Sequence, residues 1–456
     1  MDFKYEFEER WFEKNNLEIS SEFLDKLIKN NKKIIETNEK LLKFTFVGVL
    51  VYKKEVLIIL PKYAKKLKAE DEKLDCIKTI IKVFKQIPNK VIKDNKDALF
   101  ISNDINESEI SEIAIADYII RDFRENGYYI QNHIVKSIDG KGRINWTNTI
   151  NTLDPIISNK NPIYTNFITE DITINNNNFI SNLHINLYNY LLAKYKVLLG
   201  YRGGCLSIDK AKNNLDKLGN KKYIISKIKK ALESSFSDRE MNLLKAMYNF
   251  FETNNDSKSN TLSIFGTASF ELVWEFICKY IFNDKYEEFK KEIPYPEWYT
   301  SENKVHKSTK NPLKPDIISV YNKNLFILDA KYYSININEQ SLTGNPGSYD
   351  VIKQHIYEMV FDNEMIKEKY KSDIELSYLK TISVLVFPKL MEENFEVFSY
   401  TKHPVFNNIK KLIINIYVSP KYIYNLFLNR NLIDNRVYEE IIDYDKERRN
   451  FHFELS

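Results

Sequence analysis

The stretch Pro315–Tyr333, PDIISVYNKNLFILDAKYY, contains two apolar, β-branched runs separated by Asn322-Lys323. Two such runs joined by a two-residue turn predict a β-hairpin. Counting back from this turn places Asp316 directly across from Asp329, about 5 Å away on the same face. Lys331 lies two residues after Asp329 and therefore shares that face. The predicted hairpin brings two carboxylates and an amine together, whereas a slip of one residue would separate them.

Two carboxylates this close repel each other unless a cation neutralises them. Oxygen ligands without nearby Cys or His suit Mg²⁺, which takes one or two carboxylates and keeps several waters. Asp329 stands in the apolar run Ile327–Ala330, so we expect it to be buried, where an unpaired charge is costly. The alternative is that Asp316 and Lys331 are exposed at the hairpin ends while Asp329 pairs with a lysine.

A helix is predicted upstream of the hairpin, over about 268–282. Glu271 and Glu275 are four residues apart and lie on one face of it. Glu275 could supply a third carboxylate to the hairpin site. A solvent-exposed helix face explains either residue as well, and it is the better explanation for Glu271.

A second helix is predicted downstream, over about 350–362. Gln354 and Tyr357, three residues apart, could face the carboxylates and contact phosphate. An ordinary amphipathic helix explains them equally well. The strand predicted at Thr381–Phe387 completes an α/β order around a mixed sheet.

The rest of the chain predicts an α+β part and a helical part. Residues 1–40 have the pattern of a charged helix, clearest at Glu22–Thr37, and apolar runs on both sides of 52–55 predict a hairpin. Helical spacing recurs at 69–89, 107–126 and 180–253. The polar segment 254–260 is the best linker. We therefore predict an N-terminal α+β domain over 1–165, a helical connecting region over 166–258 and an α/β domain over 259–456.

Composition excludes several protein classes. The 456 residues are 43% hydrophobic and 29% charged, which is typical of globular rather than fibrous or disordered proteins. A net charge of +4 permits nucleic-acid binding without arguing for it. The three cysteines and six histidines are scattered and fit no zinc pattern. The charged N-terminus and the short apolar runs predict a cytoplasmic protein without a membrane span.

The series helix-Glu, PD, DAK and helix-Gln resembles the PD-(D/E)xK nuclease superfamily. More narrowly, the chain resembles LlaJI-family restriction endonucleases, relatives of McrC, the nuclease subunit of McrBC-type systems. This narrower resemblance rests on FVGVLVYKKEVLIILPKY at 46–63, GKGRINWTNTI at 140–150, FGTASFELVWE at 265–275 and the PD…DAK core. It spans most of the chain.

The resemblance implies a Mg²⁺-dependent endonuclease that cuts duplex DNA, with a restriction-endonuclease-like core. It makes Asp316, Asp329 and Glu275 metal ligands together with the Ala330 carbonyl. Lys331 becomes the catalytic lysine, and Gln354 the polar residue of the following helix. The second acidic position holds Asp where Glu is commoner, and the superfamily accepts both.

The resemblance also implies partners. Such subunits work with an AAA+ GTPase of the McrB type, and the sequence contains no GxxxxGK[ST] phosphate loop of its own. The 1–160 region is then the candidate contact surface, where Arg143 could reach the partner's nucleotide site. A turn arginine packed over Trp146 is the favoured alternative. Cutting both DNA strands needs two sites, so a homodimer through the nuclease domain is possible.

Two other functions remain open at this point. The chain could be a non-catalytic adaptor that activates a GTPase motor, with the nuclease fold as a scaffold. The intact Asp316, Asp329 and Lys331 set argues against that role. It could also be a PD-(D/E)xK nuclease of recombination or repair, which shares the chemistry but not the N-terminal resemblance.

Overall fold

The computed structural model describes residues 3–30, 34–53, 55–87, 112–130, 132–174, 178–203, 215–253, 262–295, 297–301, 305–307, 314–338, 340–406 and 411–453. The chain divides into two compact units. Unit 1 combines Met1–Ile101 with Ile264–Ser456, and unit 2 is Ser102–Ser263. Unit 2 extends across the predicted boundary at 165, and the first hundred residues belong to the same unit as the C-terminal part. The three-domain division stays a prediction.

The N-terminal part of unit 1 consists mainly of strands. Its elements are β1 Phe3–Phe7, β2 Trp11–Glu13, α1 Ser21–Asn30, β3 Ile35–Thr37, β4 Leu41–Phe44, β5 Val47–Tyr52, β6 Glu55–Leu60 and α2 Glu70–Gln86. The predicted charged helix over 1–40 is wrong outside α1. The aromatic residues of β1 alternate with charged ones, which is a strand period. The hairpin around 52–55 is confirmed, since Tyr52 pairs with Glu55.

Unit 2 combines helices with two small antiparallel sheets, β7-β11-β8 and β9-β10. Its elements are α3 Glu112–Asn126, β7 Asn132–Ile138, β8 Arg143–Ile144, α4 Trp146–Thr152, β9 Ile156–Ser158, β10 Asn161–Ile163, β11 Ile168–Ile174, α5 Phe179–Leu199, α6 Lys221–Glu233 and α7 Asp238–Thr253. The helical prediction for 180–253 is confirmed in its described parts. The α5 helix ends at Gly200, whose φ of 73° suits glycine. The predicted linker at 254–260 lies outside the described residues.

The C-terminal part of unit 1 alternates strands and helices. It contains β12 Ser263–Thr267, α8 Phe270–Ile281, α9 Tyr286–Phe289, β13 Glu297–Tyr299, β14 Val305–Lys307, β15 Ile317–Tyr321, β16 Asn324–Ala330, β17 Asn336–Asn338, β18 Ser341–Thr343, α10 Ser348–Phe361, α11 Glu364–Tyr370, β19 Lys380–Pro388, β20 Phe395–Thr401, β21 Ile413–Val418, α12 Pro420–Leu428 and α13 Asn435–Phe453. The predicted helices around the hairpin correspond to α8 and α10.

The main sheet of unit 1 has five strands in the order β15-β16-β19-β21-β20. Strands β16, β19 and β21 run parallel, while β15 and β20 pair antiparallel at the two edges. The α/β mixed sheet predicted from the sequence is therefore confirmed. The turn residues Asn322 and Lys323 have φ of 45° and 57°, the positive values that a tight hairpin turn requires.

A second sheet, β1-β6-β5-β12, joins the first residues of the chain to the strand that leads into α8. Gly48 in β5 and Gly266 in β12 make the pairing possible. A Cβ on Gly48 would lie 2.2 Å from the Phe265 carbonyl oxygen, and one on Gly266 would lie 2.2 Å from that of Val47. Only glycine allows the two backbones to approach this closely.

The α10 helix packs on one face of the main sheet. Tyr357 and Phe361 join Ile318, Leu325 and Ile327 of the hairpin in one buried cluster. Val351, earlier in the helix, packs in a second cluster with residues of β19 and β21. The α10 helix therefore packs against both strands of the hairpin and against the neighbouring strands of the sheet. Across the described ranges, no helix is long and apolar enough to cross a membrane.

Candidate active site

The β15–β16 pairing has the register that the sequence predicts. Ile317 pairs with Leu328, so the next residue pair outward is Asp316 and Asp329. The backbone N–H of Ala330 donates a hydrogen bond to Asp316 Oδ2 over 3.2 Å, which fixes that carboxyl beside the end of β16. The hairpin therefore brings the two aspartates together.

Asp329 is buried, with 2% of its surface exposed. Within the described part of the chain, no backbone N–H donates a hydrogen bond to either of its carboxylate oxygens. Its charge is balanced by Lys331, whose Nζ lies 3.0 Å from Oδ2. A buried carboxylate with free lone pairs is costly unless a further cation or donor completes it.

Burial, then the neighbouring Asp329 and then Glu275 together raise the pKa of Asp316 to about 8, against the opposing charge of Lys353. The carboxyl accordingly holds a proton near neutral pH when no metal is bound. The shift expresses the repulsion between two like charges in a poorly solvated place.

Lys331 lies just after β16, and its amine is shared between two carboxylates. Nζ is 3.0 Å from Asp329 and 2.8 Å from Asp350. Burial lowers the pKa of Lys331, but these two carboxylates outweigh burial and raise it overall. The side chain is thus a held cation, suited to orient or stabilise a charged group rather than to accept a proton.

Asp350, in the first turn of α10, was not predicted as a site residue. A signal was present in the sequence, because Asp350 lies four residues before Gln354 and so shares the helix face that was expected to meet the hairpin. Lys353 was missed as well, although it influences the pKa of Asp316.

Gln354 and Tyr357 lie beside the site, but their polar groups bind backbone. Gln354 Nε2 donates to the Ile327 carbonyl over 2.5 Å. Tyr357 donates its hydroxyl hydrogen to the Lys314 carbonyl over 2.7 Å. Both side chains are buried. They fasten α10 to β16 and to the segment that leads into β15, and their contact with phosphate stays a prediction.

Glu275 lies close enough to Asp316 to raise its pKa and forms an ion pair with Lys279 one turn further along α8. In the described residues, no group of three or more His, Cys, Asp or Glu is placed to hold a metal. The geometry joins the carboxylates of Asp316 and Asp329, and the role of these two and of Glu275 as metal ligands stays a prediction. Glu271 is exposed, as expected.

Comparison with known proteins decides the family. The family model for the LlaJI restriction endonuclease matches residues 46–421. The chain belongs to this family. The match covers most of both units, including the N-terminal hairpin, Arg143 and the carboxylates. It confirms the resemblance drawn from the sequence motifs, and it places the chain among restriction-system nucleases.

A curated relative supports the assignment. The chain is 30% identical over 435 residues to the "Type II restriction enzyme BsuMI component YdjA" of Bacillus subtilis (strain 168), covering 93% of this chain and 89% of the relative. The relative is thus similar along nearly its whole length.

Two solved structures are more distant. A half-complex of Thermococcus gammatolerans McrB AAA+ hexamers with bound McrC matches at a TM-score of 0.42 and 12% identity, over 94% of this chain and 100% of that one. The Thermococcus gammatolerans McrBC complex matches at a TM-score of 0.28 and 13% identity, over 59% of this chain and 84% of that one.

Proposed function

We propose that this LlaJI-family chain is the Mg²⁺-dependent endonuclease subunit of a restriction system and that it cleaves phosphodiester bonds of duplex DNA. The observation that carries the proposal is the pairing of Asp316 with Asp329 at the end of the hairpin, with Lys331 Nζ 3.0 Å from Asp329. Together with the family, this trio supports a PD-(D/E)xK core.

The donor set suits Mg²⁺. No backbone N–H of the described residues donates to the buried Asp329 carboxylate, and Asp316 has a pKa raised to about 8 by burial and by Asp329. Two carboxylates and the Ala330 carbonyl are hard oxygen ligands, and Mg²⁺ commonly uses so few protein ligands because it keeps waters and binds substrate phosphate. When bound, Mg²⁺ neutralises phosphate charge and lowers the pKa of water.

The chain's own residues have distinct roles in this proposal. Asp316 and Asp329 hold the cation, and their mutual repulsion leaves them short of positive charge until it binds. Lys331 stays protonated and presents its ammonium group to the scissile phosphate or the attacking water. Asp350 keeps the Lys331 amine in place from the opposite side. Cleaving both strands needs two such sites, so we propose that two nuclease units act together.

The substitution Asp329→Asn tests the site. It keeps the side-chain shape but removes the charge, so we expect cleavage of duplex DNA with Mg²⁺ to fall by about a thousandfold or more, a typical cost for losing a principal electrostatic group. The matched control is Asp445→Asn, because Asp445 is also fully buried and ion-paired, to Lys380 and Arg449. The folded control should keep its activity. Cleavage by Asp329→Asn at the wild-type rate would contradict the proposal.

We also propose that unit 2 contacts an AAA+ GTPase of the McrB type. Arg143 is exposed in β8, and it is surrounded in the sequence by exposed apolar side chains. Trp146 is 52% exposed, and Ile157 in β9 is 66% exposed. Trp146 packs edge-on against Phe167 and remains open to solvent. Exposed apolar groups beside a basic residue are typical of a protein interface.

Two variants test the partner proposal with a candidate AAA+ GTPase from the same genome. Ile157→Asp should prevent the complex from forming, while Arg143→Ala should keep the complex but lose stimulation of GTP hydrolysis. Ile374→Asp is the control, because Ile374 is 97% exposed in unit 1. Normal complex formation by Ile157→Asp, measured by size-exclusion chromatography with light scattering, would refute this surface.

A further inference from the structure

A buried carboxylate from the N-terminus is bonded to the residue that follows the catalytic lysine. Tyr332 donates its hydroxyl hydrogen to Glu8 Oε2 over 2.5 Å. The backbone N–H of Lys62 lies 3.3 Å from the same Glu8 oxygen and 3.3 Å from the Tyr332 hydroxyl. Glu8 is 4% exposed and Tyr332 is 5% exposed. Three segments far apart in sequence therefore meet at one polar contact.

Aromatic packing keeps Tyr332 in a single orientation. Its ring centroid lies 5.3 Å from that of Phe270 and 6.3 Å from that of Tyr63. Lys62 Nζ lies 4.4 Å from the centroid of the Tyr332 ring. Phe270 is the first residue of α8, the helix that carries Glu275. The same packing thus contacts both the end of the catalytic strand and the start of the neighbouring helix.

This anchor lies one residue beyond Lys331, whose amide still bonds to the sheet. Strand β16 ends at Ala330, and the Lys331 amide then donates to the Val386 carbonyl over 2.9 Å. The following residues 331–335 have no regular secondary structure. The direction in which the backbone leaves Lys331 is therefore set by the side chain of Tyr332, which is held by Glu8.

We propose that Glu8 is a positioning residue for Lys331, acting through Tyr332, so that the N-terminal sheet is part of the catalytic machinery. The inference rests on the proposed nuclease function. Leucine at position 8 and phenylalanine at position 332 would fill the same space without burying a carboxylate. They would lack the directional hydrogen bond that fixes the position of the ring at 332. A displacement of about 1 Å at a catalytic group is enough to cost about a hundredfold in rate.

The test compares Glu8→Leu with Glu8→Gln in the full chain. Leucine removes the acceptor, so we expect the single-turnover rate of DNA cleavage with Mg²⁺ to fall about ten- to a hundredfold, with unchanged affinity for the DNA. Glutamine keeps an acceptor oxygen for Tyr332 and Lys62, and it should restore the rate to within about threefold of wild type.

A tyrosine pair provides the matched control. Tyr332→Phe should lower the rate as Glu8→Leu does. Tyr378→Phe should leave the rate unchanged, because the Tyr378 hydroxyl is also buried but donates to the Phe361 carbonyl, over 2.7 Å. If Glu8→Leu cuts at the wild-type rate, or if Glu8→Gln is as impaired as Glu8→Leu, the positioning role is overturned.

Hydrogen exchange separates this inference from the proposed function. In Glu8→Leu, the amides of Ala330 and Lys331 should exchange faster than in wild type, whereas Tyr378→Phe should leave them unchanged. This measurement requires no cleavage. If the wild-type chain never cuts DNA, the proposed nuclease function is refuted. Faster amide exchange in Glu8→Leu would still support the contact between Glu8 and Tyr332 as an anchor of Lys331. Unchanged exchange in Glu8→Leu would refute the anchor itself.

Discussion

Two groups of buried charge in unit 1 have different balances. The carboxylate site contains three acids around one lysine: Asp316, Asp329, Lys331 and Asp350. The ion-pair cluster, formed mainly by α10 and α13, contains three acids and three bases: Glu358, Asp362, Lys380, Lys411, Asp445 and Arg449. In the cluster, Asp445 lies 2.6 Å from Lys380 and 2.8 Å from Arg449, and Glu358 lies 3.2 Å from Lys411.

Under the proposed function, the difference separates a structural role from a cation-binding one. The cluster has as many bases as acids, so its charge is balanced within the protein, although burial raises the pKa of Glu358 and its oxygens, like those of Asp329, accept no backbone hydrogen bond. The carboxylate site has too little positive charge to balance its acids. Burial and the neighbouring Asp329 raise the pKa of Asp316 to about 8 there. This shortage of positive charge is the property that the proposed Mg²⁺ site requires.

The largest expected effect concerns stability. Asp445→Asn removes the negative charge that Lys380 and Arg449 share, so we expect it to lower the free energy of unfolding by about 3 kcal/mol. Asp329→Asn relieves repulsion with Asp316 and should change stability by less than about 1 kcal/mol, or increase it. Urea unfolding in EDTA measures both. Equal losses would remove the distinction between the two groups.

A pH series extends the comparison to Glu8. Burial raises its pKa from 4.5 to about 7, against the hydrogen bond from Tyr332 and the charge of Lys62, while Glu9 raises it slightly. A raised acid pKa means that the folded state binds the extra proton, so this stability is complete below pH 4.5 and is lost as the pH rises through 7.

Relative to Glu8→Gln, the wild type should therefore lose about 3 kcal/mol of stability between pH 4.5 and pH 8, at about 1.4 kcal/mol for each pKa unit. Urea midpoints across this range measure the loss. If the urea midpoints of the two proteins change with pH in parallel, the pKa of Glu8 is not raised by folding. Glu8 would then resemble the ion-paired carboxylates of the cluster.

The smallest expected effect is a change in cleavage rate, tested at the two ends of α10. Asp350→Ala frees the Lys331 amine on one side, and we expect about a tenfold slower cleavage, as for other residues that orient a catalytic group. Asp362→Ala, at the end of the same helix, removes ion pairs with Lys411 and Lys367 and should not change the rate of the folded protein. Similar slowing by both would assign the effect to the helix rather than to Lys331.

The β15–β16 hairpin could be predicted from the sequence because the residues that determine it are close together in the chain. The Asn322-Lys323 turn and the β-branched runs set the register, and the register alone brings Asp316 to Asp329. The buried state of Asp329 followed from its apolar neighbours. Asp350 was missed because a polar residue in the first turn of a helix is common for helix stability alone.

The N-terminal region was harder because its partners are distant in sequence. Strand β1 pairs in parallel with β6, and β5 pairs with β12 from beyond unit 2. The alternation in β1 is only five residues long and its partner strand is distant, so residues 1–40 resembled a charged helix. For the same reason the contact between Glu8 and Tyr332 could not be predicted, although Gly48 and Gly266 marked the close approach of β5 and β12.

Direct measurement of metal binding is the simplest test of the proposed cation site at Asp316 and Asp329. Mn²⁺ suits the same oxygen ligands as Mg²⁺ and is visible by electron paramagnetic resonance. Titrated into the full chain at pH 8.5, it should occupy a site that Asp316→Asn and Asp329→Asn each weaken at least about tenfold and that Asp445→Asn leaves intact. Equal Mn²⁺ binding by wild type and by Asp329→Asn would contradict the account.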